Sequence, residues 1–150
     1  MVFGSVASKV IHASSRPFLL VRARPGEKRR TPVRIQHILL PLDGSELSAS
    51  ILPYVEETAK AVGATLFLFT AVPPLPPYPG AEIAPFPISL IGDLVEGARS
   101  SLEQSRKGLE SRGVTVRTSV AVGFAVDEII QAAEGARCDI VAMATHGRSA

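Results

Sequence analysis

The spacing of apolar residues changes repeatedly along this chain, and each change marks an element. Ile35 to Leu42 is an apolar run of strand length, followed by Asp43-Gly44-Ser45-Glu46, a turn with helix-capping chemistry. Leu47, Ile51, Leu52, Val55, Ala59 and Val62 then recur at helical spacing, with Glu56, Glu57 and Lys60 on the opposite face and Gly63 as the stop. Pro53 lies inside that pattern and predicts a kink. Thr65 to Val72 reads as a second buried strand, and the proline-rich stretch from Pro73 to Pro87 as a long exposed loop. Ile91, Leu94, Val95, Ala98, Leu102 and Leu109 form the apolar face of a long helix ending near Gly113. From Val114 to Val122 apolar and polar residues alternate, the pattern of an edge strand with one solvated face. Gly123 introduces a third helix through Ile129, Ile130 and Ala133, and Asp139 to Ala144 reads as a short buried strand.

The first 34 residues follow a different pattern. Val6, Ala7, Val10 and Ile11 share one helical face while Ser8, Lys9 and His12 share the other. After Pro17, the run Phe18-Leu19-Leu20-Val21 has the length of a buried strand. Strands alternating with helices imply a parallel sheet with right-handed crossovers and helices on both faces. In such sheets ligands bind beyond the carboxyl ends of the strands.

Composition narrows the class. The chain has 150 residues, 46% of them hydrophobic, and a single cysteine, Cys138, so one core of ordinary size is expected without a disulfide framework or a cysteine metal cluster. No apolar run reaches the roughly 20 residues of a membrane span, and a cytoplasmic protein without membrane or nucleic-acid partners is expected. The net charge of +2 hides an asymmetry: residues 1 to 34 carry +7 and the rest −5. A basic, acid-poor start fits a transit peptide or a nucleic-acid arm, but the helical and strand patterns favour a structured piece followed by a solvated basic linker.

Candidate chemistry gathers at strand ends. In Pro41-Leu42-Asp43-Gly44-Ser45 the carboxylate is suited to a ribose or a metal, and equally to a turn and helix cap. In Thr145-His146-Gly147-Arg148-Ser149 the glycine permits close approach of backbone to phosphate, with a guanidinium and hydroxyls beside it. Neither a GxxxxGK[ST] nor a GxGxxG pattern occurs. His146 has no carboxylate partner in its motif, His37 alternates with apolar residues and reads as a packed core histidine, and Cys138 reads as a small packing residue.

The segments ILLPLDGSELSASILPYVEETAKAVGATLFLFTAV, GFAVDEIIQAA and CDIVAMATHGRS, in that order, closely resemble the universal stress protein domain over residues 35 to 150. The resemblance implies an α/β three-layer sandwich with a five-stranded parallel sheet, of the adenine nucleotide alpha hydrolase-like type, which often binds ATP and usually dimerises. Family domains end in a helix opened by Gly-Ser and a fifth strand, and residues 4 to 22, GSVASKVIHASSRPFLLVR, resemble that ending. The implied organisation is therefore residues 1–22 as a domain ending, 23–34 as a basic linker, and 35–150 as a domain lacking its last helix and strand. A slice of a tandem protein and a circular permutant both give this order.

By the same resemblance, Pro41, Leu42 and Asp43 flank the ribose and adenine, and Val72 lines the base. Met143, Ala144, Gly147 and Arg148 form one wall of the phosphate site, and Gly4, Ser5 and Val6 the other. The family's pattern of Gly, two residues, Gly, nine residues, then Gly with Ser or Thr is met here by Ala144, Gly147 and the pair Gly4-Ser5, with about three loop residues absent. Ala144 departs from it by a methyl group. The implied cofactor is ATP, with Mg2+ as its optional companion, and the implied assembly a homodimer or tandem pseudo-dimer. No catalytic residue and no protein metal ligand is assigned. Three functions follow as alternatives: an ATP-binding stress-response module without robust catalysis, a family member acting by dimerisation and partner contacts without nucleotide, and a slow ATPase. For an N-type ATP pyrophosphatase a Ser-Gly-Gly-rich loop is expected after the first strand, which PLDGSE lacks.

Overall fold

The computed structural model describes residues 34–74 and 88–144, together with residues 9, 13, 19 and 20. Contacts divide the chain into two units, residues 34–144 and residues 1–33 with 145–150. Residues 34–144 contain β1 (His37–Pro41), α1 (Glu46–Ala49), α2 (Leu52–Val62), β2 (Thr65–Val72), α3 (Ile88–Glu110), β3 (Val116–Val122), α4 (Ala125–Gly135) and β4 (Ile140–Val141).

The strands form one parallel sheet in the order β3-β2-β1-β4. β1 lies inside it because Ile38, Leu39 and Leu40 are apolar on both faces and all at most 2% exposed, the pattern that a strand covered on both sides requires. Its register pairs His37 with Thr65 through Pro41 with Phe69 on one side, and Ile38 with Ile140 and Leu39 with Val141 on the other. One face packs Ile38, Leu40, Leu66, Leu68 and Val116 against Val55 and Ala59 of α2 and Leu102 and Leu109 of α3. Leu39 and Phe69 are buried on the opposite face, and α4 packs against β1 and β2.

The sheet departs from expectation in strand number: four strands are present among the described residues, where five were expected. The expected fifth, Phe18 to Val21, is described only at Leu19 and Leu20, which carry no regular structure and are exposed. A four-residue apolar run gains strand structure only from a neighbour that supplies hydrogen bonds and cover. Of the helix expected before it, Lys9 and Ala13 are helical and exposed, and the other residues lie outside those described, as does the loop from residue 75 to 87.

Two local readings also change. The helix expected from Leu47 to Val62 is two helices, because Pro53 stands in the first turn of α2 rather than bending a continuous helix. There its missing N–H costs nothing and its fixed φ suits the start of a helix. Gly63 then closes α2 at φ 71°, a left-handed conformation that favours glycine. Glu56, expected on the solvated face, is partly covered and accepts from Lys60 Nζ at 2.7 Å and from Arg112 Nε at 2.9 Å, tying α2 to the turn after α3. β4 is shorter than expected and Val141 is exposed, whereas β3 is at an edge as its alternation predicts.

His37 is partly buried and not a core residue. Its ring meets Phe67 edge-on at 5.3 Å, and the Arg117 guanidinium lies 5.8 Å from the same ring. Cys138 is partly buried, and burial raises its thiol pKa, which fits a packing role.

The position of Pro53 generates a stability test. In the first turn of α2, Pro53→Ala is expected to lower stability by about 0.4–1 kcal/mol in urea unfolding by freeing the unfolded chain, whereas relief of a kink would raise stability.

Candidate functional site

All four strands are parallel, so their carboxyl ends share one edge of the sheet. The chain runs from β1 outward to β2 and β3, then returns across the sheet to β4 on the other side of β1. The direction of winding therefore reverses between β1 and β4, the kind of position at which open α/β sheets bind ligands, beyond the carboxyl ends of the strands.

Pro41 ends β1 and is partly buried, as is Leu42. Leu42 is fixed from both sides: its N–H donates to the Phe69 carbonyl at 2.8 Å, and its carbonyl accepts from Thr70 Oγ1 at 2.9 Å. The exposed Asp43 follows. Its Oδ1 accepts from Ser45 N at 2.9 Å and Ser45 Oγ at 2.6 Å, while its own N–H donates to Ser48 Oγ at 3.4 Å. Ser45 caps α1, its Oγ accepting from Ser48 N at 3.1 Å. The turn and cap are thus present, and they hold the carboxylate just beyond the carboxyl end of β1.

These contacts make the Asp43 carboxyl more acidic than usual. Chiefly the Ser45 hydroxyl, with Ser48 and the Ser45 N–H adding to it, lowers its pKa from 3.8 to about 2, because donors aimed at a carboxylate favour its charged form. Asp43 presents a permanent negative charge at neutral pH, suited to accept hydrogen bonds from hydroxyl groups and unsuited to proton transfer near pH 7.

Val72, the last residue of β2, is 5% exposed, and its carbonyl accepts from Gly123 N at 2.9 Å, joining the ends of β2 and β3. Beyond β4, Ala142 N donates to the Leu39 carbonyl at 2.8 Å, Met143 is exposed and Ala144 is partly buried. The register therefore gathers Pro41, Leu42, Asp43, Val72, Met143 and Ala144 at one edge. Gly147, Arg148, Gly4, Ser5 and Val6 lie outside the described residues. Among the described residues, no cluster of three or more His, Cys, Asp or Glu side chains is arranged to hold a metal ion.

Sequence reasoning missed Thr70 and Asp139. Thr70 is the one polar residue within the apolar run from Leu66 to Val72, a signal that its hydroxyl has a specific partner. Asp139 works at the amino edge of the sheet, where one carboxylate oxygen accepts from Gln36 N at 2.8 Å and His37 N at 3.0 Å. These bonds lower its pKa and clamp the start of β4 to that of β1. Nothing in the local sequence around Asp139 distinguishes it from a solvated turn residue.

The fold is α/β with a parallel sheet, and the candidate residues lie at the carboxyl ends of its strands. The chain belongs to the universal stress protein family, whose model matches residues 34–150. It is 28% identical over 113 residues to Universal stress protein MJ0531 of Methanocaldococcus jannaschii, covering 75% of this chain and 65% of that protein. It is 33% identical over 68 residues to MJ0577 of the same organism, covering 45% of this chain and 42% of that protein. The chain thus spans less than two thirds of the length of these relatives. The solved structure of MJ0577 superposes with TM-score 0.64 at 28% identity, covering 77% of this chain and 78% of that one. A universal stress protein family structure from Burkholderia pseudomallei gives TM-score 0.66 at 21% identity over 77% and 86% of the two chains, a likeness of fold. A further universal stress protein of this fold was solved in complex with cAMP, at TM-score 0.51 and 21% identity over 74% and 73% of the two chains.

The Asp43 turn predicts a coupled effect. Ser45→Ala removes both the cap and the principal donor to Asp43, so the Asp43 carboxyl, followed by NMR titration, is expected to move from about 2 toward 3.8. Because the folded pKa is the depressed one, the stability it contributes is present above the unfolded value and is lost as pH falls through about 2. The variant is expected to show a weaker pH dependence there, besides a loss of about 1 kcal/mol from the cap itself.

Proposed function

We propose that this protein is an ATP-binding stress-response module that works by changing conformation or association with nucleotide occupancy, without robust catalysis. The observation that carries this reading is the reversal of winding between β1 and β4, flanked by the fixed Asp43 turn on one side and by Met143 and Ala144 on the other. Pro41, Leu42 and Asp43 would border the ribose and adenine, with Val72 beside the base. The chain after Ala144 would bring Gly147 and Arg148 to the phosphates, and the Gly4-Ser5-Val6 segment would supply a helix start with unpaired N–H groups. The low pKa of Asp43 supports a ribose contact more than proton transfer. Nucleotide chemistry among relatives supports the substrate class, one family structure being a cAMP complex. Mg2+ would travel with the phosphates.

The organisation proposed with this function is residues 1–22 as a domain ending, 23–34 as a basic linker and 35–150 as the body of the domain, in a cytoplasmic homodimer or tandem pseudo-dimer. A second reading has a specific observation in its favour: the hydrogen bonds from Ser45 already engage Asp43 in a structural turn, as a family member acting by partner contacts without nucleotide would require only.

Calorimetry separates the two. The first reading expects saturable ATP or ADP binding, weak rather than nanomolar because Ala144 puts a methyl group where the family pattern has glycine. Gly147→Val is expected to abolish it by filling the phosphate position. Absence of binding at millimolar nucleotide would leave the second reading.

A further inference from the structure

β3 ends one side of the sheet, and among the described residues nothing pairs with its outer side. Leu66 N donates to the Thr115 carbonyl and Gly123 N to the Val72 carbonyl, each at 2.9 Å, so the odd-numbered residues of β3 turn their backbone toward β2. A residue in a parallel ladder bonds to one side, which leaves the N–H and C=O groups of Val116, Thr118, Val120 and Val122 directed outward. Proteins commonly blunt such an edge with proline, a bulge or charge. β3 has no proline and no bulge: seven consecutive residues pair in unbroken register from Leu66–Val116 to Val72–Val122, and Arg117 is its one charged residue.

This edge opens onto a cleft. A space of about 630 Å3 lies between α3 and β3, lined by Glu96, Arg99, Ser100 and Glu103 on the helix and by Thr118 and Val120 on the strand. Val116 and Val120 pack toward the main core, so Thr118 shares the face that α3 covers, while Arg117 and Ser119 alternate to the other. The two faces differ in charge. Along the helix Glu96, Glu103 and Glu110 outnumber Arg99 and Arg106, and Arg106 is already held by Glu103 and Glu110. The opposite face presents the exposed Arg117. We infer that β3 takes up an extended segment of a partner protein as an added strand, with basic side chains toward α3 and acidic ones toward Arg117. The segment's backbone bonds to the outward groups of Thr118 and Val120, which supply affinity whatever its sequence, and the charges on its two faces select it. The site lies two strands away from β1, and the inference does not depend on nucleotide binding.

The probe is the blocked peptide KEVTVEK, whose palindromic order puts lysine on one face and glutamate on the other in either strand direction. Added at millimolar concentration to the unmodified full chain and followed by amide hydrogen exchange in NMR, it is expected to protect the Thr118 and Val120 amides at least tenfold. The Arg117 and Ser119 amides, already turned to β2, are expected to stay unchanged. KKVTVKK, basic on both faces, and EEVTVEE, acidic on both, each meet a like charge in any register and are expected to bind at least threefold more weakly. Glu96→Lys is expected to erase the advantage of KEVTVEK over EEVTVEE. Thr118→Pro removes an N–H that β2 does not use, so it should keep the native circular dichroism and weaken KEVTVEK binding at least tenfold. If that variant does not fold, the exchange pattern of the unmodified protein decides. Equal affinity for the three peptides, protection spread evenly over odd and even residues, or no protection by KEVTVEK overturns the proposal. Thr118 and Val120 amides protected without peptide overturn it too, in favour of a second copy on this edge if protection falls on dilution, and of a segment of the same chain if it does not.

Discussion

β1 is hydrogen-bonded along both edges and covered on both faces, and the positions of the other elements follow from that. β2 takes one edge through the pairs from His37–Thr65 to Pro41–Phe69, and β4 takes the other through Ile38–Ile140 and Leu39–Val141. Since a parallel strand pair needs a crossover, the connections to β2 and β3 place α2 and α3 on one face, and the return to β4 comes back across the other with α4. The candidate site is a by-product of the same arrangement, since it lies where winding reverses beside β1. A change that weakened the burial of Ile38 or Leu40 would therefore disturb the site as well as the core.

The Asp43 turn shows how closely structure and candidate chemistry are joined. Ser45 Oγ donates to Asp43 and also accepts from Ser48 N, while Ser48 Oγ accepts from Asp43 N and lies within 3.0 Å of the Ser45 carbonyl. Among the described residues, this ring of short-range bonds holds the carboxylate ionised without a cationic partner. An aspartate held this way is a poor base and a steady hydrogen-bond acceptor, which suits a contact to hydroxyl groups better than proton transfer.

Charge follows a separate logic from packing. The ion pairs of residues 34–144, such as Glu56 with Arg112 and Arg106 with Glu103 and Glu110, lie at or near the surface, where exposed pairs contribute little. The Glu56 contact matters more for where it acts, joining α2 to the turn after α3. The +7 of residues 1 to 34 contrasts with the −5 of the remainder.

Local sequence by itself determined the elements whose signal is a continuous period: β2, read correctly from Thr65 to Val72 because both of its faces are apolar, the long helix through Leu102 and Leu109, and the edge position of β3 from its alternation. The family resemblance, not the local pattern, marked Pro41, Leu42, Asp43, Val72, Met143 and Ala144, which the register then gathered at one edge of the sheet. The split at Pro53, the capture of Glu56 by Arg112, the Thr70 bond to Leu42 and the Asp139 clamp were decided by tertiary structure, because each depends on a partner far away in the chain or on where a helix starts against the sheet. Strand number was decided there too. The run at Phe18 to Val21 has strand composition, but a strand exists only where another edge meets it, and an apolar pattern states a need for cover without naming what provides it.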